Sequence, residues 1–221
     1  MAAAATTVFA IHGVLTEKAH SKEENSGAQC GTGGHWVIAR DAEVQVLGRH
    51  GFETAVKGKN GFVCIVARSW TSVPDPDFWN PKVRVPRCLN APAARSYLPH
   101  LTKETEWELA GRTKAQTDES IAAAVDKKEL PAMELGAMCY MMSKQGYGGD
   151  SVKHWPPHLM FYYPQTDPAT WGANLPGSPI FASSQTSEHL SEFVIAGATV
   201  VGRNGRSLSP KLNKIKGDQE R

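Results

Sequence analysis

The sequence has no long hydrophobic run, little net charge and few cysteines. None of its apolar runs approaches the roughly 20 residues that a membrane-spanning helix requires, so we expect no transmembrane span. The formal net charge of +2 is too small to favour nucleic acid as a partner. Hydrophobic residues at 41% and charged residues at 21% are typical of a globular protein rather than a disordered chain.

Familiar signatures of enzymes and metalloproteins are also missing. The chain contains no Gly-x-Ser-x-Gly segment, which argues against the nucleophile elbow of α/β hydrolases. It contains no Cys/His spacing of a standard zinc motif, and the sequence indicates no cofactor. Any catalytic or metal site must therefore be built from residues without a standard spacing.

Composition divides the chain into a leader, a domain and a tail. Residues 1–35 are mildly apolar at first and then polar and glycine-rich. They lack the basic start of a signal peptide, so we expect a flexible leader, with a degraded export signal as the alternative. Residues 203–221 carry six Lys/Arg against two Asp/Glu, and we expect a basic polar tail. Residues 36–202 have the length of a single domain.

Patterning in the first half of that domain indicates three strands. Residues 41–47 and 52–56 alternate between polar and apolar side chains, and residues 62–68 are apolar and β-branched. These patterns predict a three-stranded meander. Asn60 and Gly61 form the dipeptide that favours a hairpin turn between the second and third strands.

Helical signals follow. Asn90 is a suitable cap for a short helix that Pro99 would end. Residues 104–109 favour a strand with one charged face, although a helix also fits the pattern. The capping box that begins at Thr113 predicts a helix that Pro131 stops.

Three apolar segments after these helices predict further strands: residues 137–143, 158–163 and 193–201. Strands first, helices next and strands last is the order of an α+β domain. We expect a mostly antiparallel sheet, made of the N-terminal meander and the C-terminal strands, with one or two helices packed on one face.

The four cysteines are Cys30, Cys64, Cys88 and Cys139, which allow three complete pairings. Cys64 and Cys88 are favoured because they bracket the proline-rich part of residues 69–90, a stretch that we predict to be irregular. Closing a loop of about 25 residues stabilises a fold by about 3 kcal/mol in the chain-entropy model. Such a bridge persists only in an oxidising compartment. Two unpaired, buried cysteines in a cytosolic protein are the alternative.

The segments 137–143 and 158–163 hold most of the reactive side chains. If they pair as strands, alternation brings Cys139 and Ser143 onto one face, opposite His158 on its partner. This arrangement suggests a hydrolase with Ser143 or Cys139 as nucleophile and His158 as base, and Asp150 is the nearest acid in the sequence.

A metal site at His154 and His158 is a second hypothesis. Their spacing suits a helix, but the two prolines between them oppose one, so we assign no metal ligand. Soft donors nearby would favour copper(I) over zinc, namely Cys139, Met141, Met142 and Met160.

A binding surface is the third hypothesis. Aromatic side chains in loops over a rigid sheet often form recognition surfaces, and the candidates are Tyr147, Trp155, Trp171, Trp79 and Trp70. The competing interpretation is that these residues, the methionines and Cys139 simply fill a core, with His158 satisfied by a backbone carbonyl or a serine.

Four blocks carry a resemblance to known proteins: residues 59–64, 87–88, 136–143 and 157–161. In this order they resemble a family of uncharacterised bacterial proteins that are usually exported and common in soil bacteria. The resemblance covers about three-quarters of the chain, from residue 41 to 201, but the chain departs from the family by lacking a clear signal peptide.

The resemblance implies export and disulfide formation but no particular activity. We therefore expect a periplasmic or secreted binding or envelope-associated module, with a small molecule or an envelope component as partner. The hydrolase and the metal-binding protein are the alternatives.

Overall fold

A single β-sheet organises the computed structural model, which describes residues 36–71, 79–143, 145–150, 153–154, 156–185 and 187–196. Within these residues the strands are β1 (Glu43–Leu47), β2 (Phe52–Val56), β3 (Val63–Ala67), β4 (Val85–Leu89), β5 (Met138–Met141), β6 (His158–Pro164), β7 (Ile180–Gln185) and β8 (Leu190–Ala196). They lie in the order β2-β1-β3-β4-β5-β6-β8-β7. All neighbours are antiparallel except β1 and β3. The predicted α+β class with a mostly antiparallel sheet is confirmed.

The described helices are α1 (Trp36–Ala39), α2 (Ala91–Ser96), α3 (Leu98–Leu109) and α4 (Lys114–Asp126). Helix α2 packs on β4 and β5, and α4 packs on α3. Tyr97, Leu98 and Leu101 join the core formed by the helix-facing side of β3 to β6. The capping box at Thr113 is present as predicted, because both of its hydrogen bonds are local to one turn.

Helix α3 corrects two predictions. Residues 104–109 are helical, so the predicted strand is wrong. The buried positions of this helix include Leu98, Leu101, Thr105 and Glu108, and the spacing of these four residues is helical. Pro99 lies in the first turn of α3 rather than ending α2, because the missing amide proton of proline costs nothing at a helix start.

The N-terminal strands are present, but β3 pairs with β1 and not with β2. The hairpin turn predicted at Asn60-Gly61 is therefore wrong. The Asn60 amide donates to the carbonyl of Ile38 at 2.8 Å, and Glu43 donates its backbone N–H to Phe62 at 2.8 Å. These hydrogen bonds hold residues 60–62 beside the start of β1, so that β3 pairs with the edge of β1 that faces away from β2.

Strand β4 lies within residues 69–90, so the prediction that this whole stretch is irregular is wrong. Pro86 obscured the strand, because proline is rare inside sheets. Pro86 pairs with Val66 of β3, whereas the residue pairs between β4 and β5 begin only at Cys88. The missing N–H of Pro86 therefore interrupts no ladder on that side. Strand β7 had no counterpart among the predicted strands.

The Cys64–Cys88 disulfide is confirmed. The two residues lie directly opposite each other on β3 and β4, and both are fully buried. The predicted leader (1–35), the predicted tail (203–221) and residues 197–201 of the last predicted strand lie outside the described residues. Among the helices that are described, none has the length and apolarity to cross a membrane.

Candidate functional site

Strands β5 and β6 pair directly, as the sequence predicts. Met141 lies opposite His158, and Cys139 lies opposite Met160. All four side chains are buried on the sheet face that packs against the helices. A thiol, two thioethers and an imidazole therefore occupy two neighbouring rows of one sheet face.

His158 is held by contacts at both ring nitrogens. Nδ1 lies 2.7 Å from the carbonyl oxygen of Pro156, and Nε2 lies 3.1 Å from the sulfur of Met141. A carbonyl oxygen can only accept, so Nδ1 carries the proton and Nε2 presents its lone pair in the neutral ring. Burial lowers the pKa of His158, with Arg87 acting in the same direction and the Pro156 hydrogen bond opposing. The ring is therefore neutral at pH 7.

Ser143 is close to His158. Both side chains, with Met141, line a small pocket of about 10 Å³, which is room for about one water molecule. The Ser143 hydroxyl accepts a hydrogen bond from the backbone N–H of Gln145 at 3.2 Å. Ser143 and His158 are 6% and 1% exposed, so a substrate would reach them only after the surrounding structure opened.

Cys139 is poorly suited to be a nucleophile. Its sulfur lies 3.1 Å from the hydroxyl of Tyr162. Burial raises the pKa of the Cys139 thiol to about 11, against the opposing influences of Arg87 and the Tyr162 hydroxyl. Only the thiolate is nucleophilic, and at neutral pH this side chain remains a thiol. A hydrolase that uses Ser143 and His158 stays a prediction. The burial of both residues favours this hypothesis less than the hypothesis of a binding module.

Arg87 is buried on the same helix-facing side of the sheet as His158 and Cys139, and no sequence pattern indicated it. We call the buried polar groups on this side the polar layer. Arg87 projects from β4 onto the helix-facing side, is 3% exposed, and donates from Nη2 to the carbonyl of Thr71 at 3.3 Å. Burial by itself lowers the pKa of Arg87, but nearby Tyr162, Tyr97, Cys139 and Glu192 outweigh it and raise the pKa overall. Arg87 thus places a permanent positive charge inside the domain.

Two aromatic rings and a carboxyl group surround this charge. Tyr97 and Tyr162 stack with centroids 3.8 Å apart. Glu192 lies opposite Tyr162 in the β6–β8 register. Burial raises the pKa of Glu192 to about 7 although Arg87 opposes the change, while Glu188 adds to it. A carboxyl group in this layer therefore titrates near neutral pH.

Trp171 lies on the opposite face of the sheet, in a short 3-10 helix (Pro168–Trp171). Its ring stacks on Phe193 with centroids 4.3 Å apart and meets the edge of Tyr163 at 4.9 Å. Phe161 is 6.3 Å away. Phe193 is fully buried, whereas Trp171, Tyr163 and Phe161 keep part of their surface exposed. We call these four residues the Trp171 surface.

The remaining predicted site residues lie elsewhere. Tyr147 contacts the ring of His154 and donates to the carboxylate of Asp150. His154 is exposed, and its Nδ1 lies 2.8 Å from the carbonyl of Gly146. Trp79 is 55% exposed beside Trp70. The predicted aromatic set is therefore not one surface.

Two further predictions concern residues or contacts outside this arrangement. Trp155 and Cys30 lie outside the described residues. Across the described ranges, no three His, Cys, Asp or Glu side chains are close enough together to hold a metal ion.

Comparisons with known proteins found no matching family model, no matching curated protein and no matching solved structure. The chemistry of the sites described above therefore has to carry any functional conclusion.

Proposed function

We propose that this protein is an extracytoplasmic binding module that holds an uncharged polysaccharide of the cell envelope on the Trp171 surface. The observation that carries the proposal is the stack of Trp171 on buried Phe193, with Tyr163 and Phe161 alongside. Aromatic rings present a flat, electron-rich face, to which the C–H bonds on one side of a sugar ring are complementary.

The strand positions on the sheet face that Trp171 covers carry no charged side chains, and Asp167, at the start of the 3-10 helix, is an exposed carboxylate rather than a cation. By the alternation of the strands, the residues on this face of β5 to β8 are apolar, aromatic or hydroxyl-bearing: Met138, Tyr140, Leu159, Phe161, Tyr163, Ile180, Ala182, Ser184, Ser191, Phe193 and Ile195. Nucleic acids and acidic polymers require cationic side chains, which are absent from these positions. A neutral ligand fits this composition.

The loop that carries Trp171 is held in place at both ends. Asp167 caps the 3-10 helix by accepting from the N–H of Ala169 at 2.9 Å. Asn174 donates to the carbonyl of Ala182 at 2.9 Å and accepts from its N–H at 3.0 Å. The second pair of bonds also covers the outer edge of β7. A pre-positioned ring lowers the entropic cost of binding.

The disulfide supports the proposed location. A fully buried Cys64–Cys88 bridge is expected in a compartment where thiols are oxidised. The proposed periplasmic or secreted location and the proposed ligand are therefore mutually consistent.

Co-sedimentation with two insoluble neutral polysaccharides, cellulose and chitin, tests the proposal, using Trp171→Leu and the matched variant Trp79→Leu. Leucine keeps an apolar cover over Phe193 but removes the flat ring. We expect the wild type and Trp79→Leu to be retained, and Trp171→Leu to lose about tenfold in affinity, which corresponds to about 1.4 kcal/mol.

Retention of Trp171→Leu at the wild-type level would contradict the proposal, as would a wild type that binds neither polymer. Analytical ultracentrifugation tests the main alternative, in which this face is a contact between two copies of the chain. A wild type that dimerises while Trp171→Leu does not, without binding either polymer, would identify the surface as a contact between copies of the chain.

A further inference from the structure

His100 joins three segments of the fold through its two ring nitrogens. It lies on α3 and is 1% exposed. Its Nε2 lies 2.9 Å from the carbonyl oxygen of Pro131, in the loop after α4, and its Nδ1 lies 3.2 Å from Oε1 of Glu188. Glu188 belongs to the turn at residues 187–189, which leads into β8. We propose that a proton held between His100 and Glu188 clamps this turn to the helices, and that loss of the proton at higher pH releases it.

The contacts of His100 require two protons on its ring or one shared with Glu188. The Pro131 carbonyl oxygen can only accept, so Nε2 carries a proton. A neutral imidazole has one N–H, and its Nδ1 would then turn a lone pair toward the Glu188 carboxylate. The other neutral form moves the same conflict to Pro131. A second proton, between Nδ1 and Oε1, gives each oxygen a donor.

Burial makes this contact more important than a second one beside it. His100 and Glu188 are 1% and 16% exposed, and a polar group that loses its partner in such a place is not fully compensated by water. Next to Glu188, His189 lies 3.6 Å from Oδ1 of Asp126, and both side chains are more than half exposed. An exposed pair at this distance contributes little to stability. The clamp therefore depends on His100 and Glu188.

The charges around the clamp act in the same direction. Burial raises the pKa of Glu104 on α3 and of Glu192 on β8, and Glu188 adds to both shifts while Arg87 on β4 opposes them. Loss of the shared proton adds one negative charge beside these carboxyl groups, which favours release of the turn. The other ionisable groups on the elements packed here are buried phenols, Tyr97 and Tyr162, or lie at least partly at the surface: Lys103, Glu106, Asp126, Lys127, Lys128, Glu129 and His189.

The turn has a separate attachment that does not titrate. The backbone N–H of Gln165 donates to the carbonyl of His189 at 2.9 Å, and the N–H of Thr166 donates to the hydroxyl of Ser191 at 2.9 Å. These bonds keep the turn on the sheet in either protonation state, so release is confined to its contact with the helices. Histidine is the side chain that ordinarily changes charge between about pH 5 and 8, and the clamp should open within that range.

Magnetic resonance of the full chain tests the proposal. Nitrogen labelling of the histidine rings follows the protons on His100 from pH 5 to pH 8. Hydrogen exchange, corrected for its intrinsic rate, follows opening at residues 187–190, with the amides of β3 as the reference for global unfolding. We expect both ring nitrogens to be protonated at pH 5. By pH 8 the ring should lose one proton, and protection at residues 187–190 should fall about tenfold or more relative to β3.

Three variants separate the clamp from its surroundings. Glu188→Gln keeps the shape of the side chain, and its amide can donate to Nδ1 while Nε2 still donates to Pro131. A neutral ring then has both partners, so protection should be the same at pH 5 and pH 8. His189→Gln removes only the exposed pair and should keep the wild-type pH dependence. Glu129→Gln, at an exposed glutamate in the loop after α4, is the matched control and should also behave as the wild type.

Two outcomes in the wild type overturn the proposal, and neither depends on a variant that must fold. One is a His100 ring that carries a single proton at pH 5. The other is protection at residues 187–190 that is the same, relative to β3, at pH 5 and pH 8. The proposal is also overturned if Glu188→Gln keeps the wild-type pH dependence. Loss of that dependence in His189→Gln alone would assign it to the exposed pair and would overturn the proposal as well.

Discussion

Replacing Glu192 by glutamine should stabilise the domain at pH 8 and leave its stability nearly unchanged at pH 4. The carboxyl group has a pKa of about 7 in the folded protein and an ordinary value of 4.5, which we take for the unfolded chain. Burial is the main cause, because a charged carboxylate is poorly solvated between the sheet and the helices. Glutamine has nearly the same shape and never ionises.

The direction follows from which state releases its proton first. Below about pH 4 the group is protonated in both states and contributes no pH dependence. As the pH rises from about 4.5 to about 7, the unfolded chain ionises first, so unfolding becomes more favourable. Each tenfold difference in proton affinity corresponds to about 1.4 kcal/mol, so the full penalty above pH 7 is at most about 3 kcal/mol. Partial exposure of Glu192 makes this an upper limit, since solvent screens the charge.

Urea unfolding of the wild type and Glu192→Gln at several pH values from 4 to 8 measures this penalty directly. The difference in unfolding free energy between the two proteins isolates Glu192 from the other groups that titrate. Glu119→Gln is a matched control, because Glu119 is an exposed glutamate on α4. A difference that does not change between pH 4 and pH 8 would refute the reasoning. A variant less stable than the wild type at pH 8 would show that attraction to Arg87 exceeds the cost of burial.

Two further predictions concern the frame that holds these sites. Replacing Cys64 and Cys88 together by alanine should lower the unfolding free energy, measured by urea titration, by about 3 kcal/mol. The reason is that the disulfide closes a loop between residues 24 positions apart. A loss below about 1 kcal/mol would contradict the loop-entropy estimate. Asn90→Ala should cost about 2 kcal/mol, because the side chain accepts from Ala93 and Met138 and donates to Gly136. Asn90→Asp keeps both accepted bonds and should cost less in the same assay, and equal losses for the two variants would be inconsistent with this role.

Local signals in the sequence predict the parts of the fold that depend on neighbouring residues. The capping box at Thr113 starts α4, and the apolar alternation predicts β5 and β6. A residue that fits two local structures can give a wrong prediction. Pro99 is compatible with both the end of one helix and the start of the next. It lies at a start because the helix that follows packs Leu101 into the core.

The polar layer around Arg87 depends on contacts that sequence patterns do not encode. Arg87 reaches Tyr162 and Glu192 only because β4 enters the sheet beside β5, about 50 residues further along the chain. Because Pro86 argues against a strand, the sequence does not predict β4, and it therefore does not predict on which side of the sheet Arg87 lies. His158 was identifiable because its partner strand is the next one along the chain, across a single loop.

The pleat of β5 and β6 separates what the sequence presents as one cluster of reactive residues. Met141 and His158 face the helices, whereas Phe161 and Tyr163 contact Trp171 on the opposite face. Substitutions that share no contacts have additive effects, so a change on one face leaves the other unaltered unless it shifts the strands themselves. Met141→Leu should therefore retain polysaccharide binding in the co-sedimentation assay. If Met141→Leu lost this binding as Trp171→Leu does, the cause would be a disturbed sheet, and the loss in Trp171→Leu would then not count as support for the site.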